Sequence, residues 1–172
     1  MIAGIYARKS TDDVERFSET ARRVIRQARD EAERFHHNSV GPEHLLSALL
    51  TGNEGIALAV LERLTIRRYA VLEDLNRAMT GLDTSKPGGQ IPFNRQALQV
   101  IGESIEHARH LGDHFVGTEH LLLGLVCDAE SVAARTLSAH GAGPEKVLAE
   151  TMALAGKRVE PEPNDQPEEE GP

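Results

Sequence analysis

The chain has 172 residues, an apolar share of 40% and a formal net charge of −8 at pH 7, which suits one domain with a sizeable core or two small units that share one. Six acidic residues and no basic one occupy positions 160–172, so the remainder is close to neutral and a nucleic-acid-binding surface is not indicated. No apolar run approaches a membrane span, the start lacks a secretory pattern, and one cysteine excludes an internal disulfide, so we expect a soluble, cytoplasmic protein.

Residues 1–13 contain Tyr6, Arg8 and Ser10 in an order that resembles the opening strand and nucleophile turn of serine recombinases. A nucleophilic serine needs activation, and in that family several arginines of a large catalytic domain hold the phosphate. From Phe17 onward the chain instead follows a repeated helical pattern. A DNA-acting protein therefore stays a distant alternative, and we interpret residues 1–13 as an N-terminal extension.

The dominant feature of the chain is an internal duplication. Residues 17–50 align without a gap on residues 93–126 at a constant shift of 76 positions. The shift carries Gly41-Pro42-Glu43-His44-Leu45-Leu46 onto Gly117-Thr118-Glu119-His120-Leu121-Leu122, and it continues beyond this block. A repeat at constant spacing outranks local pattern reading and predicts two copies of one structural unit.

Each copy opens with a predicted amphipathic helix. Apolar residues recur at three- and four-residue steps after Phe17 and again after Phe93. Ser18 and Asn94, which directly follow these phenylalanines, are the predicted N-caps. Because the apolar faces of the two helices are equivalent and can cover each other, we expect a pseudo-twofold axis and one shared core.

Three further helices are predicted in each copy. The second helices follow the Val-Gly pairs, with Pro42 tolerated in the first turn and with Glu43 and Glu119 where the helix dipole favours negative charge. Third helices are predicted over 55–64 and 131–139, and fourth helices over 70–79 and 144–155. Apart from a few N-terminal residues, no run alternates with period two, so the predicted class is all-α, with eight helices in one domain.

Two segments of biased composition set the domain boundaries. Residues 81–92 are rich in Gly and Pro and predict a surface linker. Residues 158–172 form an acidic Pro/Glu tail that has almost nothing to bury and should be disordered. The domain therefore covers residues 14–157, with repeat one at about 17–80 and repeat two at about 93–157.

The sequence carries neither a complete P-loop nor a zinc-binding motif. The pair Gly156-Lys157 is followed by Arg158 and not by the hydroxyl residue that a P-loop needs. The eight histidines lack a zinc-binding spacing. We expect His44 and His120 to make a hydrogen bond that ties a helix start to its neighbour. The chain is predicted to be a non-enzymatic protein without catalytic residues, metal or cofactor.

The repeated Val-Gly-(Pro/Thr)-Glu-His-Leu-Leu motif, preceded by Phe-x-x-x-Ala, resembles the Clp N-terminal double repeat. This domain precedes the ATPase modules of ClpC- and ClpA-type AAA+ unfoldases. The resemblance implies a module that binds adaptors and substrates of a ClpC–ClpP protease system. We expect it to be monomeric and to contact neither nucleic acid nor membrane. We interpret the chain as a stand-alone copy that sequesters ligands from ClpC, and the alternatives are an adaptor or an excised N-domain of an unfoldase.

The resemblance also implies two sites for phosphorylated arginine, which the domain recognises in some bacteria. The guanidinium-binding carboxylates would be Glu43 and Glu119, with Ser18 and Asn94 near the phosphate. Thr118 keeps the family pattern, whereas Pro42 replaces the usual threonine, so the site with Glu119 is expected to be the stronger. The alternative that both carboxylates only favour the helix dipole stays open.

A second surface of the family binds cyclic-peptide antibiotics in actinobacterial ClpC. By resemblance, the matching positions are Val14, Arg22, Phe93, Leu98 and Gly102. Leu98 and Gly102 replace polar residues, so the polar contacts would be lost and binding would be weaker or altered.

Overall fold

The computed structural model describes residues 14–81 and 89–158. In these ranges a 3-10 turn precedes eight α-helices, and extended pairing is confined to two isolated bridges. The helices are α1 (Glu19–Arg34), α2 (Pro42–Thr51), α3 (Ile56–Arg63), α4 (Arg68–Met79), α5 (Arg95–His110), α6 (Thr118–Cys127), α7 (Val132–Ala139) and α8 (Pro144–Arg158). The predicted all-α class with four helices per repeat is confirmed. The predicted extension 1–13, most of the linker and nearly all of the tail lie outside the described residues.

The first helix of each repeat begins at the predicted cap. Ser18 Oγ accepts a hydrogen bond from the backbone N–H of Ala21 at 3.1 Å, and Asn94 Oδ1 accepts one from Ala97 at 2.9 Å. Both caps satisfy a helix N–H that has no partner within the helix. The buried faces of α1 and α5 consist mainly of small residues: Ala21, Val24, Ala28 and Ala32 in α1, and Ala97, Val100, Ser104 and Ala108 in α5.

The second helices, α2 and α6, form the centre of the core. Residues 42–50 and 118–126 are all buried, so these helices are covered on every side. Gly124 allows α6 to approach α5 closely, since a Cβ there would lie 2.6 Å from the carbonyl oxygen of Val100.

In the described part of the chain, no single helix is long and apolar enough to cross a membrane. Helices α2 and α3 together reach the length and apolar composition of a membrane span, but they are bent by 85° relative to each other.

The third helices are exchanged between the repeats. Helix α3 of repeat one packs against α6 and α8 of repeat two, and α7 of repeat two packs against α2 and α4 of repeat one. Each repeat therefore completes the helical layer of the other. Burial of the four helices of one repeat depends on the presence of its partner repeat, so the two units share one core.

Two short backbone bridges join the repeats in the same reciprocal way. Phe17 pairs with Val116, and Val40 pairs with Phe93. The N–H of Ser18 donates to the carbonyl of Val116 at 2.9 Å, and the N–H of Asn94 donates to the carbonyl of Val40 at 2.9 Å. A shift of 76 positions exchanges one bridge with the other, as the predicted pseudo-twofold relation requires.

The starts of α3 and α7 are capped by different means. Ser131 Oγ accepts the N–H of Ala134 within α7, at 3.1 Å. Its counterpart Gly55 has no side chain, and Thr118 Oγ1 of the other repeat accepts the N–H of Ala57 at 3.2 Å. A Cβ at Gly55 would lie 2.5 Å from that hydroxyl oxygen, so the glycine makes room for the cap from the other repeat.

We expect Thr118→Val to lower the free energy of unfolding by about 1–2 kcal/mol, because the buried N–H of Ala57 loses its acceptor at nearly constant side-chain volume. Denaturant titration followed by circular dichroism measures the change. Thr136→Val is the control, since the Thr136 hydroxyl only donates to a carbonyl of its own helix. Equal effects of the two substitutions would show that the cap from the other repeat adds nothing.

Candidate functional site: a cleft between the two repeats

Each second helix starts with the same backbone-to-histidine hydrogen bond. The N–H of Gly41 donates to His44 Nδ1 at 2.8 Å, and the N–H of Gly117 donates to His120 Nδ1 at 2.8 Å. Since Nδ1 accepts in both rings, the ring proton lies on Nε2. We predicted that His44 and His120 make a hydrogen bond that ties a helix start to its neighbour; each ring binds the N–H before its own helix and, through Nε2, a residue of the preceding loop.

The acceptor of the Nε2 proton differs between the repeats. In repeat one His44 Nε2 donates to His37 Nδ1 at 2.6 Å, and His37 Nε2 donates to the carbonyl of Met79 at 3.0 Å. In repeat two His120 Nε2 donates to the Asp113 carboxylate at 2.8 Å. Repeat two therefore places a carboxylate where repeat one has an imidazole.

Glu43 and Glu119 fold back over the glycine that precedes their helix. A side chain at Gly41 would collide with the Glu43 carboxylate, and one at Gly117 with the Glu119 carboxylate. Only 8% of Glu43 and 6% of Glu119 is exposed. Burial raises the pKa of the Glu43 carboxyl. A buried carboxylate in the first helical turn is compatible with the helix dipole and also with a bound cation.

A cleft of about 530 Å³ opens beside Glu119. One wall is the N-terminus of α1 with Ser18, Glu19 and Arg22. The other is formed by Asp113, His114 and Phe115 of the loop before α6 and by Glu119 in the first turn of α6. The cleft thus joins Ser18 of repeat one to Glu119 of repeat two. The bridge between Phe17 and Val116 causes this pairing, because it brings the start of α1 to the start of α6.

Arg22 belongs to this cleft. Its Nε donates to the carbonyl of Phe17 at 2.9 Å, and one terminal nitrogen donates to the carbonyl of Glu15 at 3.2 Å. These bonds hold the turn before α1, and they place a positive charge beside the capping serine. The wall formed by α1 therefore offers helix N–H groups and a guanidinium together with the Glu19 carboxylate, while the opposite wall offers two carboxylates.

Other predicted site residues lie elsewhere. Asn94 caps α5 and its N–H donates to Val40, three residues before Glu43. Thr118 is 3% exposed, and its hydroxyl oxygen accepts the N–H of Ala57, so the cap accounts for its position. Participation of Asn94 and Thr118 in ligand binding stays a prediction.

The predicted cyclic-peptide positions are distributed over several elements. Val14 begins the 3-10 turn, and Phe93 is half-buried below the Arg29 guanidinium, which lies 5.1 Å from the ring centroid. On α5, Leu98 is 37% exposed, and a Cβ at Gly102 would meet no described atom within 4 Å. These positions stay a prediction as a binding surface.

Asp113 and Phe115 are among the cleft residues that the sequence analysis missed. Asp113 is the counterpart of His37, and Phe115, which is 63% exposed, is the counterpart of Ser39. The signal was present at positions where the repeats differ. Because both copies build the same helix start, a position there that differs in residue type changes the chemistry offered at that start.

A second cluster was also missed. His107 Nε2 lies 3.3 Å from Cys127 Sγ, and one ligand atom each of Glu103, His107 and Cys127 lie within 4.8 Å of one another. Burial lowers the pKa of His107, while burial and the charge of Glu103 raise the pKa of the Cys127 thiol. Sequence spacing did not reveal this triad because Cys127 comes from the next helix.

Comparison with known proteins identifies the family. The model of the Clp repeat (R) N-terminal domain matches residues 16–140. The chain belongs to this family. It is 38% identical over 146 residues to the chloroplastic chaperone protein ClpC1 of Oryza sativa subsp. japonica. This alignment covers 85% of the chain and 16% of that relative. The chain thus spans about one sixth of the length of this curated relative.

Solved structures show the same fold at lower sequence identity. The N-terminal domain of the ClpV1 ATPase from E. coli aligns with a TM-score of 0.73 at 18% identity and covers 87% of this chain and 92% of that one. A ClpV N-domain in complex with a VipB peptide aligns with a TM-score of 0.65 at 15% identity, covering 83% and 91%. The resemblance of this chain to Clp N-domains is confirmed.

The neutral His44 ring predicts a pH dependence of stability. Burial lowers its pKa from 6.5 to about 4. Between these values the unfolded chain takes up a proton at His44 that the folded chain refuses, so stability falls as the pH decreases, by up to about 3 kcal/mol. Because Oδ1 of Asn can replace Nδ1 as acceptor, we expect His44→Asn to keep the hydrogen bond and to remove this titration. The slope of the unfolding free energy against pH should then decrease by up to the contribution of one proton.

His36→Asn is the matched control for that measurement, because His36 is exposed and has a positive φ of 59° that asparagine tolerates. Denaturant titrations from pH 4 to 7 give the slopes. An unchanged slope in His44→Asn would show that the ring of His44 does not carry this dependence.

Proposed function

We propose that the chain is a non-enzymatic, cytoplasmic module of a Clp protease system that binds proteins or peptides in the cleft between the two repeats. The observation that carries the proposal is the composition of the cleft: Glu119 and Asp113 face the N-terminus of α1 and Arg22. The side with Glu119 offers carboxylate acceptors, and the α1 side offers helix N–H donors and Arg22 beside the Glu19 carboxylate. The cleft is suited to a ligand that carries both charges.

Phosphoarginine is the ligand chemistry that fits these two walls. Its guanidinium would donate paired hydrogen bonds to the Glu119 carboxylate, which is fixed over Gly117. Its phosphate would accept from the first backbone N–H groups of α1 and lie near Arg22. Asp113 keeps its bond to His120 and adds negative charge on the guanidinium side.

An exposed aromatic residue supports binding of a peptide around the marked arginine. Phe115 is 63% exposed on the rim of the cleft, and a large exposed aromatic ring is a common contact for protein ligands. The ClpV N-domain solved with a VipB peptide supports peptide binding for this fold. Adaptors and substrates of a ClpC–ClpP system are the partner class we propose.

Competition with full-length ClpC follows from such binding. The 172-residue polypeptide, added on its own, would occupy ligands that otherwise reach the unfoldase, provided its affinity is comparable and its concentration exceeds that of the ligand. Cyclic-peptide antibiotics are a weaker candidate ligand, since Leu98 and Gly102 offer no polar side chain. An adaptor that delivers cargo is the alternative, and it differs in the sign of its effect.

We expect Glu119→Gln to weaken binding of free phosphoarginine by on the order of 2 kcal/mol, about 30-fold, because the charge-assisted bond to the guanidinium is lost. Isothermal titration calorimetry measures the affinity, and free arginine and phosphoserine test whether both charges are needed. Glu43→Gln should have the smaller effect, and Glu106→Gln, on the exposed face of α5, should have none. No heat with wild-type protein at millimolar phosphoarginine would leave helix-dipole stabilisation as the role of Glu119.

The second test uses a reconstituted ClpC–ClpP degradation assay with an arginine-phosphorylated substrate. Excess wild-type chain should slow turnover by sequestration, and the Glu119→Gln variant should slow it less. Faster turnover would identify delivery and contradict competition. Equal slowing by wild type and variant would show that the cleft beside Glu119 is not the site of capture.

A further inference from the structure

We propose that Glu103, His107 and Cys127 form a zinc-binding site on the outer side of the α5–α6 pair. The carboxylate, the imidazole and the thiol each offer one ligand atom, and the three atoms lie within 4.8 Å of one another. Thiolate, imidazole and carboxylate are the three donor types that zinc accepts in proteins. The site is separate from the cleft, and none of its residues lines the cleft.

The backbone presents these side chains in a suitable arrangement. Glu103 and His107 are four residues apart on α5 and therefore project from one face of that helix. Cys127 is the last residue of α6, which packs against α5. The 3.3 Å separation of His107 Nε2 and Cys127 Sγ falls within the ligand–ligand spacing of about 3.3–3.8 Å that a tetrahedral zinc ion imposes.

The packing of the helix pair does not require this donor set. In repeat one the equivalent positions of α1 and α2 are Gln27, Glu31 and Thr51. There Glu31 accepts a hydrogen bond from Ser47 at 2.8 Å, and the Thr51 hydroxyl donates to carbonyls of its own helix. The same helix pair is thus formed in repeat one without the imidazole and the thiol.

The exposure of the triad permits entry of an ion. Cys127 is exposed, while Glu103 and His107 are half-buried. Three protein ligands leave the fourth tetrahedral position to water. On binding, the thiol releases its proton to solvent and becomes a thiolate ligand. The ion would link the end of α6 to the middle of α5 and stabilise the folded chain by mass action.

Cobalt(II) is a suitable probe, because a thiolate ligand gives a charge-transfer band in the near ultraviolet and Cys127 is the only cysteine of the chain. We expect one cobalt per chain with this band, displacement of the cobalt by zinc, and a higher melting temperature in zinc. Cys127→Thr and His107→Gln should abolish the band or weaken binding at least about tenfold. Cys127→Thr installs the residue that repeat one has, so its fold should be retained.

His110→Gln is the matched control, since His110 is exposed on α5 three residues beyond His107. It should retain the band and the affinity. Absence of cobalt binding, binding without the thiolate band, or equal loss in His110→Gln would overturn the proposal. Binding without the band that disappears in Asp113→Asn would assign the ion to Asp113, Glu119 and His120 instead, whose ligand atoms also lie within 4.8 Å of one another.

Discussion

The structure depends on one reciprocal contact between the repeats. The segment around the phenylalanine that precedes each first helix pairs with the Val-Gly segment that precedes the second helix of the other repeat. The bridges Phe17–Val116 and Val40–Phe93 bring each first helix to the second helix of the opposite repeat. With α3 and α7 exchanged as well, neither repeat can bury its second helix alone. The two copies therefore share one core, and the cleft beside Glu119 contains residues from both.

This arrangement explains why the candidate site is composite. Ser18 and Arg22 come from the start of α1, and Asp113 and Glu119 come from the loop and first turn of α6. Chain order would pair Ser18 with Glu43, 25 positions away in its own repeat, yet the bridge places it across from Glu119. A helix N-terminus and a carboxylate thus face each other because two copies of one sequence are interlocked.

Differences between the copies carry the specific chemistry. Helix α3 is capped by Thr118 of the other repeat, for which Gly55 makes room. Helix α7 is capped by Ser131, which precedes it in the same repeat. Asp113 in place of His37 adds a negative charge to the cleft between the repeats, and Cys127 in place of Thr51 completes the triad on α5 and α6. Buried positions also differ, as Ala28 and Ser104 do, so the cleft and the triad are identified by the contacts that their residues make and not by the difference alone.

The sequence by itself determined the duplication, the eight helices, the capping residues Ser18 and Asn94, and the family. Helical periodicity, N-cap chemistry and a constant shift are local or repeated signals, and they do not require knowledge of which elements touch. Only the tertiary structure decided that Ser18 lies with Glu119, that Thr118 caps α3, and that Cys127 joins Glu103 and His107. Each of these contacts joins residues that are distant along the chain, and their proximity follows from the exchange of helices and bridges between the repeats.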